Sequence, residues 1–173
     1  MNTAPGITER RLGRDSGRLI LESGAENREV CAHMAGQAAR QLRVFSRDLD
    51  KPIYDTEPFI QSVRQLVLGN RQAQVKILLQ DNDRAVKQGH RLIELARRLS
   101  SSIEIRTPAH DWLEHRENFL LADRYGYVHR ESPDRYDATA DYHAPLRVRE
   151  LSELFDDIWQ VSQVDSELRR LYI

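Results

Sequence analysis

The chain has 173 residues, 40% of them hydrophobic and 31% charged, which suits one globular domain able to bury a core without metal or disulfide staples. Its 26 Lys and Arg offset 27 Asp and Glu, so no global field exists to gather nucleic acid or an acidic membrane, and any anion site has to be local. The single cysteine, Cys31, excludes an internal disulfide and a cysteine-based zinc cluster.

Residues 1–17, rich in Gly, Arg, Asp and Thr without a period, read as a flexible N-terminal arm ahead of an α/β domain over 18–173. Its arginines are diluted by Glu9 and Asp15, which favours a solvated tail over a polyanion contact. The first residues lack the apolar core of a signal peptide, and no run approaches the ~20 apolar residues of a membrane span. A cytoplasmic protein with no membrane partner is expected.

A short strand is predicted at 18–22, then a helix over 27–40 with Asn27 as its cap and Val30, Cys31, Met34, Ala35 and Ala38 on its apolar side. On that side Cys31 reads as a buried, inert thiol. A strand at 42–46 leads into a loop marked by Pro52, Tyr54 and Asp55. The next helix spans 57–68: Pro58 is tolerated in its first turn, and Gly69-Asn70 closes it.

The centre of the chain is a strand at 74–80, a helix over 83–100 whose arc carries Ala85, Val86, Gly89, Leu92, Ile93, Ala96 and Leu99, and a strand at 103–106. Strand, helix and strand of these lengths predict a crossover between parallel neighbours. After an irregular segment at 110–115, two apolar runs within 118–129 predict a hairpin, and 138–142 an edge strand. Pro145 opens a final amphipathic helix containing Phe155 and Trp159, and a last short turn runs through Leu168, Leu171 and Ile173. The predicted fold is a single α/β domain with a mixed, mostly parallel sheet and helices on both faces. Burial is expected to be greatest at Val75, Ile77, Leu79, Leu120 and Phe155.

No Gly-rich phosphate loop follows the first strand, where Ser23-Gly24-Ala25-Glu26 puts an acid in place of bare amides, and no nucleophile elbow is present. His110, His115, His129 and His143 crowd the last third, but their spacings match no metal motif. Neither a metal nor a cofactor is expected.

The stretch Arg116-Glu117-Asn118-Phe119-Leu120-Leu121-Ala122-Asp123, an apolar strand with polar residues in front and an Asp behind, resembles the signature strand of the phospholipase D superfamily, His-x-Lys-x-x-x-x-Asp. Arg116 falls at the His position, Asn118 at the Lys position and Asp123 at the Asp position. The order of elements over about residues 18–162, closing with Phe155 and Trp159, is similar too. A fainter likeness is to an uncharacterised proteobacterial domain associated with GNAT acetyltransferases.

In the resembled family His attacks phosphorus and Lys neutralises the phosphate oxygens. Arg116 stays protonated and cannot attack, and Asn118 brings no charge. Shifting the motif to His115 puts Glu117 at the Lys position, where a carboxylate would repel the substrate. The resemblance therefore implies a catalytically inactive binding or regulatory module, with Arg47, Arg106, Arg116, Asn118 and Asp123 as ligand-binding residues and no catalytic ones. The partner would be a phosphate-like anion, a nucleic acid or a protein. Because single-motif members of that family pair, it also implies a homodimer, to which Trp112, Leu113, Tyr125 and Tyr127 could contribute surface, although they could equally pack on the final helix. Two alternatives stand beside this: an enzyme of unrelated chemistry using His115 and Asp123, and, for the arginines, ordinary surface pairing with nearby acids.

Overall fold

A computed structural model describes residues 6–169. In chain order they form β1 (Leu19–Leu21), α1 (Gly24–Ala35), β2 (Gln41–Ser46), α2 (Lys51–Tyr54), α3 (Glu57–Gly69), β3 (Gln74–Leu79), α4 (Asn82–Gln88), α5 (Arg91–Arg98), β4 (Ile103–Thr107), β5 (Asn118–Ala122), β6 (Gly126–Arg130), β7 (Ala138–Asp141), α6 (Pro145–Gln160), β8 (Gln163–Val164) and α7 (Ser166–Arg169). The strands make one sheet in the order β1-β7-β6-β5-β2-β3-β4-β8.

The sheet is mixed, but its parallel part is the smaller one, contrary to expectation. Only β2 with β3 and β3 with β4 run parallel, each joined by a helical crossover. Strands β5, β6 and β7 follow one another as antiparallel neighbours, and β5–β6, β6–β7, β7–β1, β2–β5 and β4–β8 all pair antiparallel.

Alternation along the strands separates two cores. Val44, Val75, Ile77, Leu79 and Leu120 pack with residues of α1, α3 and α5 on one face. Phe45, Leu78, Phe119, Leu121 and Tyr127 pack beneath Val148, Leu151, Phe155, Ile158 and Trp159 of α6 on the other. The five positions expected to be most buried are all inside, with Ile77 and Leu120 at 0% exposure, so the strand register stands. Cys31 is buried too, and loss of hydration pushes its thiol pKa up to about 12.

Several local expectations change. Helix α1 begins at Gly24, capped by Ser23 accepting from the Glu26 amide, while Asn27 is buried and donates to the Ser23 and Tyr136 carbonyls. The helix foreseen over 83–100 is two helices. Gly89 sits at φ +70, and His90 caps α5 by accepting from the Leu92 amide while its Nε2 bonds the Leu49 carbonyl. The Pro52 loop contains the short helix α2.

Residues 6–17, foreseen as a flexible arm, lie against the domain: Gln37 holds the Leu12 amide and the Arg10 carbonyl, Gly13 bonds the Tyr142 carbonyl, and Ile7 and Leu12 pack on the core. Leu12 and Met34 close over Gly126, where an added Cβ would lie 2.5 and 2.8 Å from their side chains. Residues 1–5 of that arm, and Leu171 and Ile173 of the last turn, lie outside the described residues.

Candidate functional site

Strand β5 divides the motif residues between its two ends. A rise of ~3.3 Å per residue over the five steps from Asn118 to Asp123 puts them about 17 Å apart. At the far end the Asp123 carboxylate accepts from the amides of Ala39, Arg40 and Gln41 at 2.9, 2.8 and 3.0 Å, tying the α1–β2 connection to the β5–β6 turn. Asp123 also adopts φ +51, a left-handed conformation that Asp tolerates better than most residues. Its role is to brace the fold, and it does not join the other candidates.

At the near end, beside the carboxyl end of β2, Arg47, Arg116 and Asn118 do come together. Asn118 is 4% exposed; its Oδ1 accepts from the Arg47 amide at 2.9 Å and its Nδ2 donates to the Arg116 carbonyl at 3.1 Å. The amide at the Lys position of the resembled motif is thus spent on joining two backbones. The guanidiniums of Arg47 and Arg116 then converge on Asp134: Arg47 donates to Oδ1 at 2.7 Å and Arg116 to Oδ2 at 3.4 Å, while Arg116 also reaches Ser132 Oγ at 2.7 Å. Hydrogen bonding and charge from Arg47 hold the Asp134 carboxyl below its ordinary pKa.

The loop carrying Ser132 and Asp134 is fixed from below by Arg130, only 5% exposed, which donates to the Pro133 and Arg135 carbonyls and pairs with Asp50 at 3.4 Å. Burial, partly offset by Arg130, raises the Asp50 pKa. Leu49, between Arg47 and this acid, is held at φ +52 by Ser46 and His90.

Arg106 is not part of this cluster. It is in register with Leu78, so it faces α6, where its guanidinium lies 4.3 Å from the Trp159 ring centroid and donates to Glu104 and the Trp159 carbonyl. His115 is likewise separated from Asp123. It bonds Glu117 instead: His115 Nε2 is 2.9 Å from Oε2 and His129 Nε2 is 3.1 Å from Oε1 of the same carboxylate. An ionised carboxylate only accepts, so both imidazoles carry their proton on Nε2. Burial works to raise the Glu117 pKa, but the bonds from His129 and His115 outweigh it and hold the group low.

Asp134, and the pairing of Glu117 with His129, were missed in the sequence. The second was accessible: alternation puts Glu117 and Phe119 on one face, and hairpin pairing sets Phe119 opposite His129. Among the described residues no group of three or more His, Cys, Asp or Glu is arranged to hold a metal ion. No helix among them is long and apolar enough to cross a membrane.

The residues foreseen as a shared apolar surface do not form one. Tyr127 is buried and Trp112 packs against the α6-side core, whereas Leu113 and Tyr125 are partly exposed at opposite ends of β5.

Among solved structures the fold is that of the phospholipase D family. The family member Nuc from Salmonella typhimurium has a TM-score of 0.60 at 13% identity, over 87% of this chain and 99% of that one. NucT from Helicobacter pylori has 0.60 at 6%, over 87% and 100%. TrmBL2, described as an archaeal chromatin protein with a novel mode of DNA binding, has 0.62 at 14%, over 86% of this chain; the present chain spans only 54% of its length. Identities this low establish the fold alone. By sequence, residues 23–171 match the family described as a domain of unknown function, DUF7931, and the chain belongs to that family. No curated protein matches it.

Proposed function

We propose that this chain is a non-catalytic phospholipase D-like binding module whose ligand is a phosphate-bearing partner, nucleic acid first among them, held at the strand-end cluster of Arg47 and Arg116. The observation that carries this reading is the Asp134 carboxylate, which two guanidiniums grip as they would grip a phosphate oxygen pair. An incoming phosphate takes the place of that internal carboxylate. The chromatin protein of the same fold, described as binding DNA, lends support by analogy only.

The case against phosphodiester chemistry is chemical. A guanidinium stays protonated and cannot attack phosphorus. Asn118 supplies no charge and has both polar atoms engaged. Within this reading Asp123 and Arg106 have no ligand contact, and Asn118 positions the two arginines. The homodimer implied by the family resemblance belongs to the proposal, and sedimentation at micromolar concentration tests it.

The binding test is fluorescence anisotropy with a labelled single-stranded oligonucleotide. Saturable binding that weakens with salt is expected, reduced about tenfold by Arg116→Ala and strengthened by Asp134→Asn. Binding indifferent to both changes overturns the site. A chromogenic phosphodiester should show no turnover above buffer; turnover lost on His115→Ala would replace the binding reading with a catalytic one.

A further inference from the structure

A cleft lined by three arginines lies at the Asp123 end of β5, between the start of β2, the β5–β6 turn and the first half of α6. Its volume is about 420 Å³, and its lining includes Gln41, Arg43, Arg124, Pro145, Arg149 and Ser152 but no carboxylate. The three guanidiniums come from three separate elements and are not equally satisfied. Arg43, with a side chain only 16% exposed, pairs with Asp156 at 3.4 Å and lies 5.8 Å from the Phe155 ring centroid, so it is fixed in place. Arg149 makes an exposed pair with Glu153 at 3.2 Å. Arg124 is exposed and has no hydrogen-bond or ion-pair partner among the described residues.

Asp156 and Glu153 offset Arg43 and Arg149 from outside the lining, so of the three guanidiniums Arg124 brings the uncompensated positive charge to the cleft. We propose that this cleft binds a small ligand bearing a pyrophosphate group. Two joined phosphates offer more oxygens and more negative charge than one, enough for Arg43, Arg124 and Arg149 to bind side by side, with Ser152 able to donate a further bond. The volume is in the ~300–1,000 Å³ range of small-molecule sites, and the exposed Pro145 in its lining offers an apolar contact for whatever the pyrophosphate is attached to. This site is independent of the strand-end cluster and shares no residue with it.

Calorimetric titration of inorganic pyrophosphate into the full chain and into Arg116→Ala, Arg124→Ala and Arg149→Ala tests the assignment. Saturable binding that persists in Arg116→Ala and weakens about tenfold in each of the other two is expected. Because Arg124 and Arg149 are exposed, either variant serves if the other folds poorly. ADP in place of pyrophosphate separates the two sources of the same chemistry: tighter binding with the same Arg124 dependence identifies a nucleotide, and equal or weaker binding identifies free pyrophosphate. Absence of saturable binding overturns the proposal, as does binding lost in Arg116→Ala and retained in Arg124→Ala.

Discussion

The two ends of β5 carry polar residues of one short stretch, yet they are put to opposite uses. At the Asp123 end a single carboxylate collects three backbone amides, and nothing of its bonding capacity is turned toward a ligand. At the Arg116 end two guanidiniums are partly open to solvent and share one carboxylate from a neighbouring loop. Both ends also carry a non-glycine residue at positive φ, Asp123 itself at one and Leu49 beside the arginines at the other. The first is a connection that must not move; the second is a partly exposed charge arrangement, which under the proposed function an anion rearranges. Membership of a motif therefore says little about a residue's role until its bonding is counted.

The largest effect expected from breaking this contrast is on stability. Asp123→Ala strands three amides and places Ala at φ +51, so unfolding should become easier by about 2–4 kcal/mol, read from the urea midpoint. Asp123→Asn, which tolerates the conformation but offers one acceptor oxygen, should fall between. Oligonucleotide binding by whatever remains folded should be unchanged. If Asp123→Ala is instead neutral for stability and weakens binding, the two ends are not distinct in kind.

A smaller effect tests the support of the arginine end. His90 is buried, and loss of hydration lowers its pKa from the ordinary 6.5, although its bond to the Leu49 carbonyl works the other way. A histidine with a depressed folded pKa takes up protons more readily when unfolded. Its contribution to stability is therefore complete above 6.5 and diminishes as the pH falls below that value toward the folded pKa. Denaturation midpoints should drop on acidification through this window, and less so in His90→Asn. Equal slopes in the two proteins would show that His90 does not hold the Leu49 loop in its neutral form.

How far the sequence revealed these features depends on the range of the interactions involved. Strand register was legible because one-residue errors would expose Ile77 and Leu120, and the crossover from β3 to β4 follows from local periodicity. The break at Gly89 was hidden because glycine fits an apolar arc by size, while the cap and tether made by His90 depend on Leu49, far away in the chain. The candidate cluster, as a spatial grouping, was half legible. Arg47, Arg116 and Asn118 were identified and do meet, but Asp134 lies in a loop whose path is set by the buried Arg130. Arg106 was misplaced because strand-end position alone does not tell which face a side chain takes.

The smallest expected effect on stability is also the sharpest test of the contrast. Arg116 is 66% exposed in its side chain, and its bonds are to Ser132 and to the similarly exposed Asp134. In such a setting water and salt compete with the pair, and Asp134 keeps Arg47 as a partner when Arg116 is gone. Arg116→Ala should shift stability by less than about 0.5 kcal/mol, as ordinary surface substitutions do. Its oligonucleotide affinity should nevertheless fall about tenfold, because a phosphate between two arginines loses one of its charged donors. The Arg47→Ala variant should weaken binding in the same way. A double variant that loses no more than either single one would show the two guanidiniums acting on one bound phosphate, whereas losses that simply add would place them on separate anions.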